Sequence, residues 1–193
     1  MILTEPKWKS YIVTTNGPVF TPEQCQEIIK IGRDQPKQDA QIGVGESKSS
    51  VNLKKRTSDI SWIPFDKAVP MYTVIEELML RTNSNHFGFE GMQLTEVAQY
   101  TEYQPGGFYD WHVDNDVTFE KEPPVRKISM TLALSPDDEY EGGGLELMEK
   151  GKFAKPKQGH AIFFASFCRH RAVEVTKGVR RSLVMWFGGT PFK

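Results

Sequence analysis

The feature that most constrains the fold is a succession of short, β-rich segments in the second half of the chain. From Gln93 onward, runs rich in β-branched and aromatic residues alternate with turn-forming glycine, proline and aspartate. This rhythm is typical of antiparallel sandwiches and barrels. The segments expected to be strands are 94–103, 127–134, 145–148, 160–164, 170–175 and 182–187.

The first part of the chain carries helix signals instead. Thr21 is a good N-cap, followed by Pro22 at the first helical position and by Gln24, which completes a capping box. A second helix is predicted over 71–81, and the glycine- and serine-containing stretch 43–50 is expected to be a mobile loop or hairpin tip. The chain is therefore predicted to be α+β, with helices packed on one β-sandwich.

Composition narrows the class of protein. A chain of 193 residues is long enough for one domain with a sizeable core. The 24 basic and 25 acidic residues leave a net charge of -1, which gives no electrostatic case for nucleic acid or an anionic membrane. Cys25 and Cys168 are the only thiols, and neither an export signal nor a long apolar run is present. We expect a cytoplasmic protein whose partner is a small molecule or a peptide.

His112 and Asp114 form the first candidate for chemistry. In an extended segment, residues two apart project to the same face, so both side chains can reach one metal ion. Asp116 lies on that face as well and is a rival carboxylate. A solitary His-x-Asp is weak evidence, because the same pattern often marks a turn at the end of a strand.

A two-histidine, one-carboxylate metal site, the ligand set of non-haem iron oxygenases, would need a third ligand from elsewhere. The chain has 4 histidines. His86 follows a helix and suits a capping role, and His160 suits a turn at the start of a strand. His170 opens a basic run that is expected to form a hairpin with its turn at 177–178, which would bring an imidazole and a buried cation into one pocket.

The order and spacing of these residues resemble a known family. The pattern runs through Tyr103, Gly106, Tyr109, His112 and Asp114, then a glycine turn at 142–144 and the His170 segment. It is similar to the Fe(II)- and 2-oxoglutarate-dependent dioxygenases, and more narrowly to the prolyl 4-hydroxylase and prolyl/lysyl hydroxylase group. The likeness covers residues 100–188, with a weaker one at 56–62.

This resemblance implies a double-stranded β-helix, or jelly-roll, core with N-terminal helices packed on one face. It implies a single dioxygenase domain over 1–193, in which 1–90 is a helical cap and substrate loop and 91–193 is the core. The implied iron ligands are His112, Asp114 and His170, with no catalytic residue beyond them. The implied 2-oxoglutarate contacts are Arg180, Tyr103 and Ser182, and the implied substrate contacts are Arg56, Trp62, Tyr109 and Arg126.

The activity implied is hydroxylation of proline in a peptide or protein, as in procollagen and peptidyl-prolyl 4-hydroxylases. It would be coupled to decarboxylation of 2-oxoglutarate to succinate and CO2. The implied cofactors are Fe(II), 2-oxoglutarate and O2, with ascorbate as an optional addition. One alternative is the same chemistry on a free amino acid or another small molecule; another is a metal-dependent hydrolase or a non-catalytic β-sandwich binding protein.

Several of these residues have a plainer interpretation. Arg180 and Arg126 can be solvated surface cations, since arginine is mostly exposed. Tyr103 and Tyr109 can be ordinary aromatic packing. Trp111, on the opposite alternation from its neighbours, is expected in the core, and Trp186 is expected to pack behind the pocket.

Overall fold

The structure is a computed structural model that describes residues 11–39, 56–115, 124–148 and 152–191. Its α-helices are α1 (Pro22–Arg33) and α2 (Val69–Thr82); a 3-10 helix, Phe65–Lys67, leads into α2 and a π-helix, Asn83–Phe87, follows it. The strands are β1 (Ile12–Thr14), β2 (Gln38–Asp39), β3 (Arg56–Thr57), β4 (Asp59–Ile63), β5 (Gln93–Leu94), β6 (Ala98–Tyr103), β7 (Phe108–His112), β8 (Val125–Ala133), β9 (Tyr140–Gly142), β10 (Leu145–Leu147), β11 (Lys152–Ala154), β12 (Ala161–Ala165), β13 (His170–Ala172), β14 (Val175–Gly178) and β15 (Arg180–Gly189).

Two antiparallel sheets form a jelly roll. The larger sheet has the order β1-β12-β8-β15-β6-β4-β2, with β5 paired to β15, and the smaller has the order β11-β10-β13-β7-β3. A third, two-stranded sheet pairs β14 with β9. Because the helices lie outside a predominantly antiparallel β core, the predicted α+β class with a jelly-roll core is confirmed.

The two helices supply the cover for the larger sheet. Helix α1 begins with the expected capping box, in which Thr21 and Gln24 exchange backbone-to-side-chain hydrogen bonds of 2.9 and 3.3 Å. The predicted helix over 71–81 is confirmed and runs slightly longer at both ends. The apolar face of each helix joins one core with the sheet, and its members include Cys25, Ile28, Ile75, Met79, Ile128, Met130 and Leu132.

Strand β8 shows how the sheet separates core from cavity. Ile128, Met130 and Leu132 are fully buried in the core, and the residues that alternate with them, Ser129 and Thr131, are buried polar side chains. Since successive side chains on a strand point to opposite faces, the polar set looks into the jelly roll. This interior face is where the functional residues gather.

The predicted hairpin with its turn at 177–178 is wrong. Strand β14 pairs with β9, whereas β15 lies between β6 and β8 in the larger sheet. The turn itself exists, because Gly178 has a left-handed φ of 70°. A Cβ there would lie 2.0 Å from the Glu139 carbonyl oxygen, so the bend packs against a different strand. The chain crosses from one sheet to another instead of folding back on itself.

Two predictions fall outside the described residues: the mobile loop at 43–50 and the rival ligand Asp116. The boundary between a cap at 1–90 and a core at 91–193 stays a prediction, and strands from both parts pair with each other, as β4 does with β6.

Both cysteines are buried, and neither forms a disulfide bond. Within the described ranges, neither helix has the length and apolar character needed to cross a membrane.

Gly32 offers a test of how α1 packs on the sheet. A Cβ at this position would lie 2.4 Å from Cγ of the buried Tyr100 ring. Gly32→Ala should therefore lower the free energy of unfolding by about 1–3 kcal/mol through overpacking, even though alanine favours helices. Denaturant titration measures this. Gly17→Ala is the matched control, because a Cβ there meets nothing within 4 Å; equal stability of the two variants would contradict this packing.

Candidate active site

Three side chains with metal-binding atoms converge inside the jelly roll. His112 ends β7, Asp114 follows two residues later, and His170 begins β13, directly opposite His112 in the strand pairing. Their ligand atoms all lie within 4.8 Å of one another. Nε2 of His112 is 3.6 Å from Oδ1 of Asp114, and Nε2 of His170 is 3.5 Å from Oδ2. Among the described residues, His160 does not belong to this group; its Nδ1 lies 3.2 Å from the Thr15 carbonyl oxygen.

Both imidazoles are oriented by their own backbone. Nδ1 of His112 lies 2.7 Å from the carbonyl oxygen of Asp110, and Nδ1 of His170 lies 2.9 Å from that of Cys168. A carbonyl accepts only, so Nδ1 carries the proton in each ring and donates it. In the neutral form of each ring the lone pair is therefore on Nε2, which is the atom that points toward Asp114.

Asp114 is held as a carboxylate. Its backbone N–H donates to the Ser166 carbonyl at 3.0 Å, and the Ser129 hydroxyl donates to Oδ2 at 2.6 Å. Burial alone would raise the pKa of the Asp114 carboxyl, but His170, His112 and the Ser129 hydroxyl outweigh it, and the pKa lies below its usual value. A buried negative charge therefore faces two imidazoles.

His112 is neutral at physiological pH. Burial, and next the neighbouring His170, lower the pKa of His112 to about 4. Tyr109 covers this imidazole, with ring centroids 3.6 Å apart and planes inclined by 15°. A neutral imidazole keeps the lone pair that a metal requires.

A cavity of about 250 Å³ adjoins the three donors. Every site residue named from the sequence lines it: His112, Asp114, His170, Arg180, Tyr103, Ser182, Arg56, Trp62, Tyr109 and Arg126. The chain thus brings together residues from seven strands and from the turn after β7.

Arg180 is a buried cation at one end of this cavity. It is 6% exposed, and among the described residues no carboxylate pairs with it. Its guanidinium carbon lies 5.1 Å from the centre of the Tyr103 ring. Ser182, two residues along the same strand, has a buried hydroxyl without a hydrogen-bond partner in the described part of the chain. Unpaired buried donors are unfavourable, so this end of the cavity is suited to an anionic ligand.

Arg56 and Tyr109 form a stack above His112. The Arg56 guanidinium carbon lies 4.5 Å from the Tyr109 ring centre, and the same guanidinium donates to Ser58 Oγ and Gln99 Oε1, each at 2.9 Å. These partners are all neutral. Arg56 is therefore a second buried cation that no carboxylate neutralises among the described residues.

Arg126 has a different electrostatic environment. It forms a two-point ion pair with Glu96, and its guanidinium carbon lies 4.1 Å from the Trp186 ring centre. The Trp62 ring lies 6.1 Å from Trp186. The Arg126 side chain is partly exposed, and the ion pair fixes it over an aromatic wall of the cavity.

Trp111 and Trp186 both lie in places that differ from the sequence-based expectations. Trp111 was predicted in the core and that is wrong: it is only partly buried, and Arg169 and Arg171 lie 5.5 and 5.0 Å from its ring. Trp186 was expected to pack behind the pocket, but it lines the cavity itself. Sequence reasoning also missed Gln99 and Ser129, for which the only signal was a polar residue on an otherwise buried strand.

Comparison with known proteins agrees with this geometry. Residues 98–188 match the family model of the 2OG-Fe(II) oxygenase superfamily. A PKHD-type hydroxylase of Synechococcus sp. (strain CC9311) is 33% identical over 117 residues, covering 58% of this chain and 52% of that protein. One from Shewanella sp. (strain ANA-3) is 32% identical over 177 residues, covering 87% and 74%. The chain spans about half the length of the first of these relatives.

Solved structures share the fold. The viral collagen prolyl hydroxylase of Paramecium Bursaria Chlorella virus-1, in a 2OG complex, has a TM-score of 0.72 at 18% identity, covering 94% of this chain and 97% of that one. A Trichoplax adhaerens prolyl hydroxylase, in complex with a peptide fragment of the hypoxia inducible factor oxygen degradation domain, has a TM-score of 0.69 at 18% identity, covering 93% and 84%. With its PKHD-type sequence relatives and its His-Asp-His centre, the chain belongs to the 2OG-Fe(II) oxygenase superfamily.

Proposed function

We propose that this oxygenase hydroxylates proline in a peptide or protein, with His112, Asp114 and His170 as the iron ligands. The observation that carries the proposal is the meeting, in one cavity, of this donor set and a buried guanidinium without a carboxylate partner among the described residues. The donors suit a metal ion, and the guanidinium suits the acidic end of 2-oxoglutarate.

The donor set fits iron(II). The Asp114 carboxylate would balance part of the ion's charge, the two imidazoles would each supply a nitrogen donor, and further positions would stay open. When bound, iron(II) and 2-oxoglutarate supply an oxidation in which one atom of O2 enters a substrate C–H bond and the other enters succinate, with release of CO2. The role of the protein is to hold Nε2 of both histidines in place through the carbonyl oxygens of Asp110 and Cys168.

Arg180 and Ser182 would bind the carboxylate of 2-oxoglutarate that is remote from the metal. A planar guanidinium pairs with a carboxylate through two parallel hydrogen bonds and stays charged when buried. The Ser182 hydroxyl, which is buried and unpaired within the described ranges, can donate a third. Tyr103 packs against the guanidinium and limits its movement.

The other side of the cavity suits a proline-containing peptide. The rings of Tyr109, Trp62 and Trp186 offer apolar surface for a pyrrolidine ring. Arg56 and Arg126, each fixed over an aromatic ring, can donate to peptide carbonyl oxygens. The fold-related Trichoplax adhaerens enzyme is a prolyl hydroxylase seen with a peptide, which supports the same class of substrate here.

A second candidate substrate is a free amino acid. Arg56 is 6% exposed and its partners among the described residues are neutral. A free α-carboxylate would compensate this charge better than a peptide carbonyl does. Mass spectrometry for a gain of one oxygen, with proline peptides and free amino acids supplied in parallel, separates the two candidates.

Turnover is the direct test of the metal site. Asp114→Ala should abolish succinate release that depends on iron, O2 and 2-oxoglutarate, because the remaining imidazoles lack the balancing charge. Succinate is quantified with and without a proline peptide and ascorbate. Asp110→Asn, an exposed side chain on β7 whose backbone carbonyl is kept in the variant, is the control and should retain activity. Full turnover by Asp114→Ala would refute the assignment.

Arg180→Gln should weaken binding of 2-oxoglutarate by about 2–5 kcal/mol, because a buried charge pair loses one partner. This corresponds to a dissociation constant at least about 30-fold higher. The adjacent Arg181→Gln is the control, since Arg181 faces Glu102 and Glu139 instead of the cavity. Calorimetric titration of both variants measures the difference, and unchanged affinity in Arg180→Gln would exclude the proposed contact.

The proposal requires His112 to be neutral near pH 7, and this gives a pH test on the metal-free protein. In the unfolded chain an imidazole takes up its proton near pH 6.5, whereas in the folded protein the pKa of His112 is lowered to about 4. The unfolded state therefore binds more protons between these values, and stability should fall as pH decreases from about 6.5 toward 4. Denaturant titrations across this range should show a shallower fall in His112→Gln.

A further inference from the structure

Tyr140 lies outside every role assigned so far, yet it is placed beside Arg180. It is the first residue of β9, a strand that belongs to neither main sheet and pairs only with β14 in the described part of the chain. Its side chain is 4% exposed although its strand is short. A buried phenol needs a hydrogen-bond partner, and the Arg180 guanidinium lies within hydrogen-bonding reach of the Tyr140 hydroxyl.

Gly143 is the reason that the two side chains can meet. Its φ of 64° is left-handed, and a Cβ at this position would lie 2.9 Å from Cδ of Arg180 and 3.2 Å from Cε2 of Tyr140. The aliphatic part of the Arg180 side chain and the edge of the Tyr140 ring therefore both pack against the backbone of Gly143, where a side chain would separate them. The arginine is confined at its stem by this contact and at its head by the Tyr103 ring.

The chemistry of the pair supports an interaction between the hydroxyl and the guanidinium. Burial raises the pKa of the Tyr140 hydroxyl, and the charge of Arg180 opposes this rise. The hydroxyl therefore stays protonated at neutral pH, and its oxygen can accept an N–H from the guanidinium. Such a bond restricts the rotation of a side chain that is otherwise long and flexible.

Lys155 fixes Tyr140 from another direction. Its ammonium lies 4.1 Å from the centre of the Tyr140 ring, in the range of a cation–π contact. The same ammonium donates to the carbonyl oxygens of Asp137 and Tyr140, both at 2.9 Å. One cation therefore ties down both the ring and the backbone of the tyrosine, and it adds positive potential at the end of the cavity where Arg180 lies.

We propose that Tyr140 is a positioning residue that orients Arg180 toward the remote carboxylate of 2-oxoglutarate, and that Lys155 holds Tyr140 in place. This inference rests on the proposed role of Arg180. Preorganising the guanidinium raises affinity because the ligand does not have to order it on binding. The effect is confined to ligands that carry the remote carboxylate.

The experiment compares two keto acids that differ only in that group. Iron(II)-loaded protein is titrated without O2 with 2-oxoglutarate and with 2-oxopentanoate, which has a methyl group in place of the remote carboxylate. Tyr140→Phe keeps the ring but removes the hydroxyl, and should raise the dissociation constant for 2-oxoglutarate about tenfold. It should leave 2-oxopentanoate binding, iron affinity and kcat at saturating 2-oxoglutarate unchanged. Lys155→Met should shift 2-oxoglutarate binding in the same direction by a smaller factor.

Two controls separate positioning from loss of stability. Tyr72→Phe also removes a buried hydroxyl, but one that bonds to the Ile63 carbonyl and the Ala98 N–H in the helix-side core. Lys177→Met removes a lysine from β14 whose ammonium pairs with Glu141 on the neighbouring β9. Both controls should bind 2-oxoglutarate like the wild type, and thermal melts of all four variants verify that each is folded.

The outcomes distinguish this inference from the function on which it rests. If Arg180→Gln loses 2-oxoglutarate affinity but Tyr140→Phe and Lys155→Met do not, the positioning role is refuted and the proposed function stands. An equal loss for both keto acids in Tyr140→Phe would also refute it, because the pocket as a whole would then be disturbed. If the wild type itself does not prefer 2-oxoglutarate to 2-oxopentanoate, the proposed role of Arg180 fails first.

Discussion

The site depends on the pairing of β7 with β13. His112 and His170 are direct partners across these strands, so the hydrogen-bond register decides whether the two imidazoles meet. A slip of one residue would turn His170 to the opposite face of the sheet. The register shift that follows His170 brings Ala172 opposite Tyr109, and Tyr109 then covers His112. Each imidazole also donates to the backbone carbonyl two residues before it, so strand geometry sets the position of both rings and the nitrogen that each presents.

Three charged side chains, Asp114, Arg56 and Arg180, are buried around this centre, and each has a different set of neighbours. Asp114 is stabilised by the Ser129 hydroxyl and by the two imidazoles. Arg56 is surrounded by neutral acceptors and an aromatic ring, and Arg180 by tyrosines. Leaving buried cations without counter-charges lowers stability, and such local conflicts are expected where a ligand completes the electrostatics. Arg126, paired with Glu96, has its counter-charge already and serves mainly as a fixed surface over Trp186.

The sequence predicted best what is local. The helix cap at Thr21 and the helical period over 71–81 rest on neighbours within a few residues, and both recur in the structure. The predicted strands 127–134, 145–148, 160–164 and 182–187 recur with shifted ends, whereas 94–103 and 170–175 are each divided between two strands. The ten candidate site residues were found because their spacing resembles a known family. The resemblance does not predict the side-chain contacts around those residues, because such contacts differ from one family member to another.

Non-local pairing could not be predicted in the same way. The segments before and after 177–178 look like a hairpin, but their hydrogen bonds go to β9 on one side and to β6 and β8 on the other. Trp111 was assigned to the core from simple alternation. The alternation fails because Tyr109 and His112, three residues apart, stack on each other, which leaves Trp111 on the outer face with two arginines. Tyr140 went unnoticed because its contact with Arg180 exists only once β9 is in place beside β14.

Strand β15 connects the two ends of the cavity. Arg180, Ser182, Val184 and Trp186 all line it, as a period of two on one strand requires. Because β15 pairs with β6 on one side and with β8 on the other, the distance between the Arg180 end of the cavity and its aromatic wall is fixed. The remaining wall comes from β3, at the edge of the smaller sheet, and from β4, near the edge of the larger one. Changes at Arg56 or Trp62 would therefore alter the shape of the cavity without moving His112, Asp114, His170 or Arg180, in keeping with a fold that hosts many functions through changes at its sites.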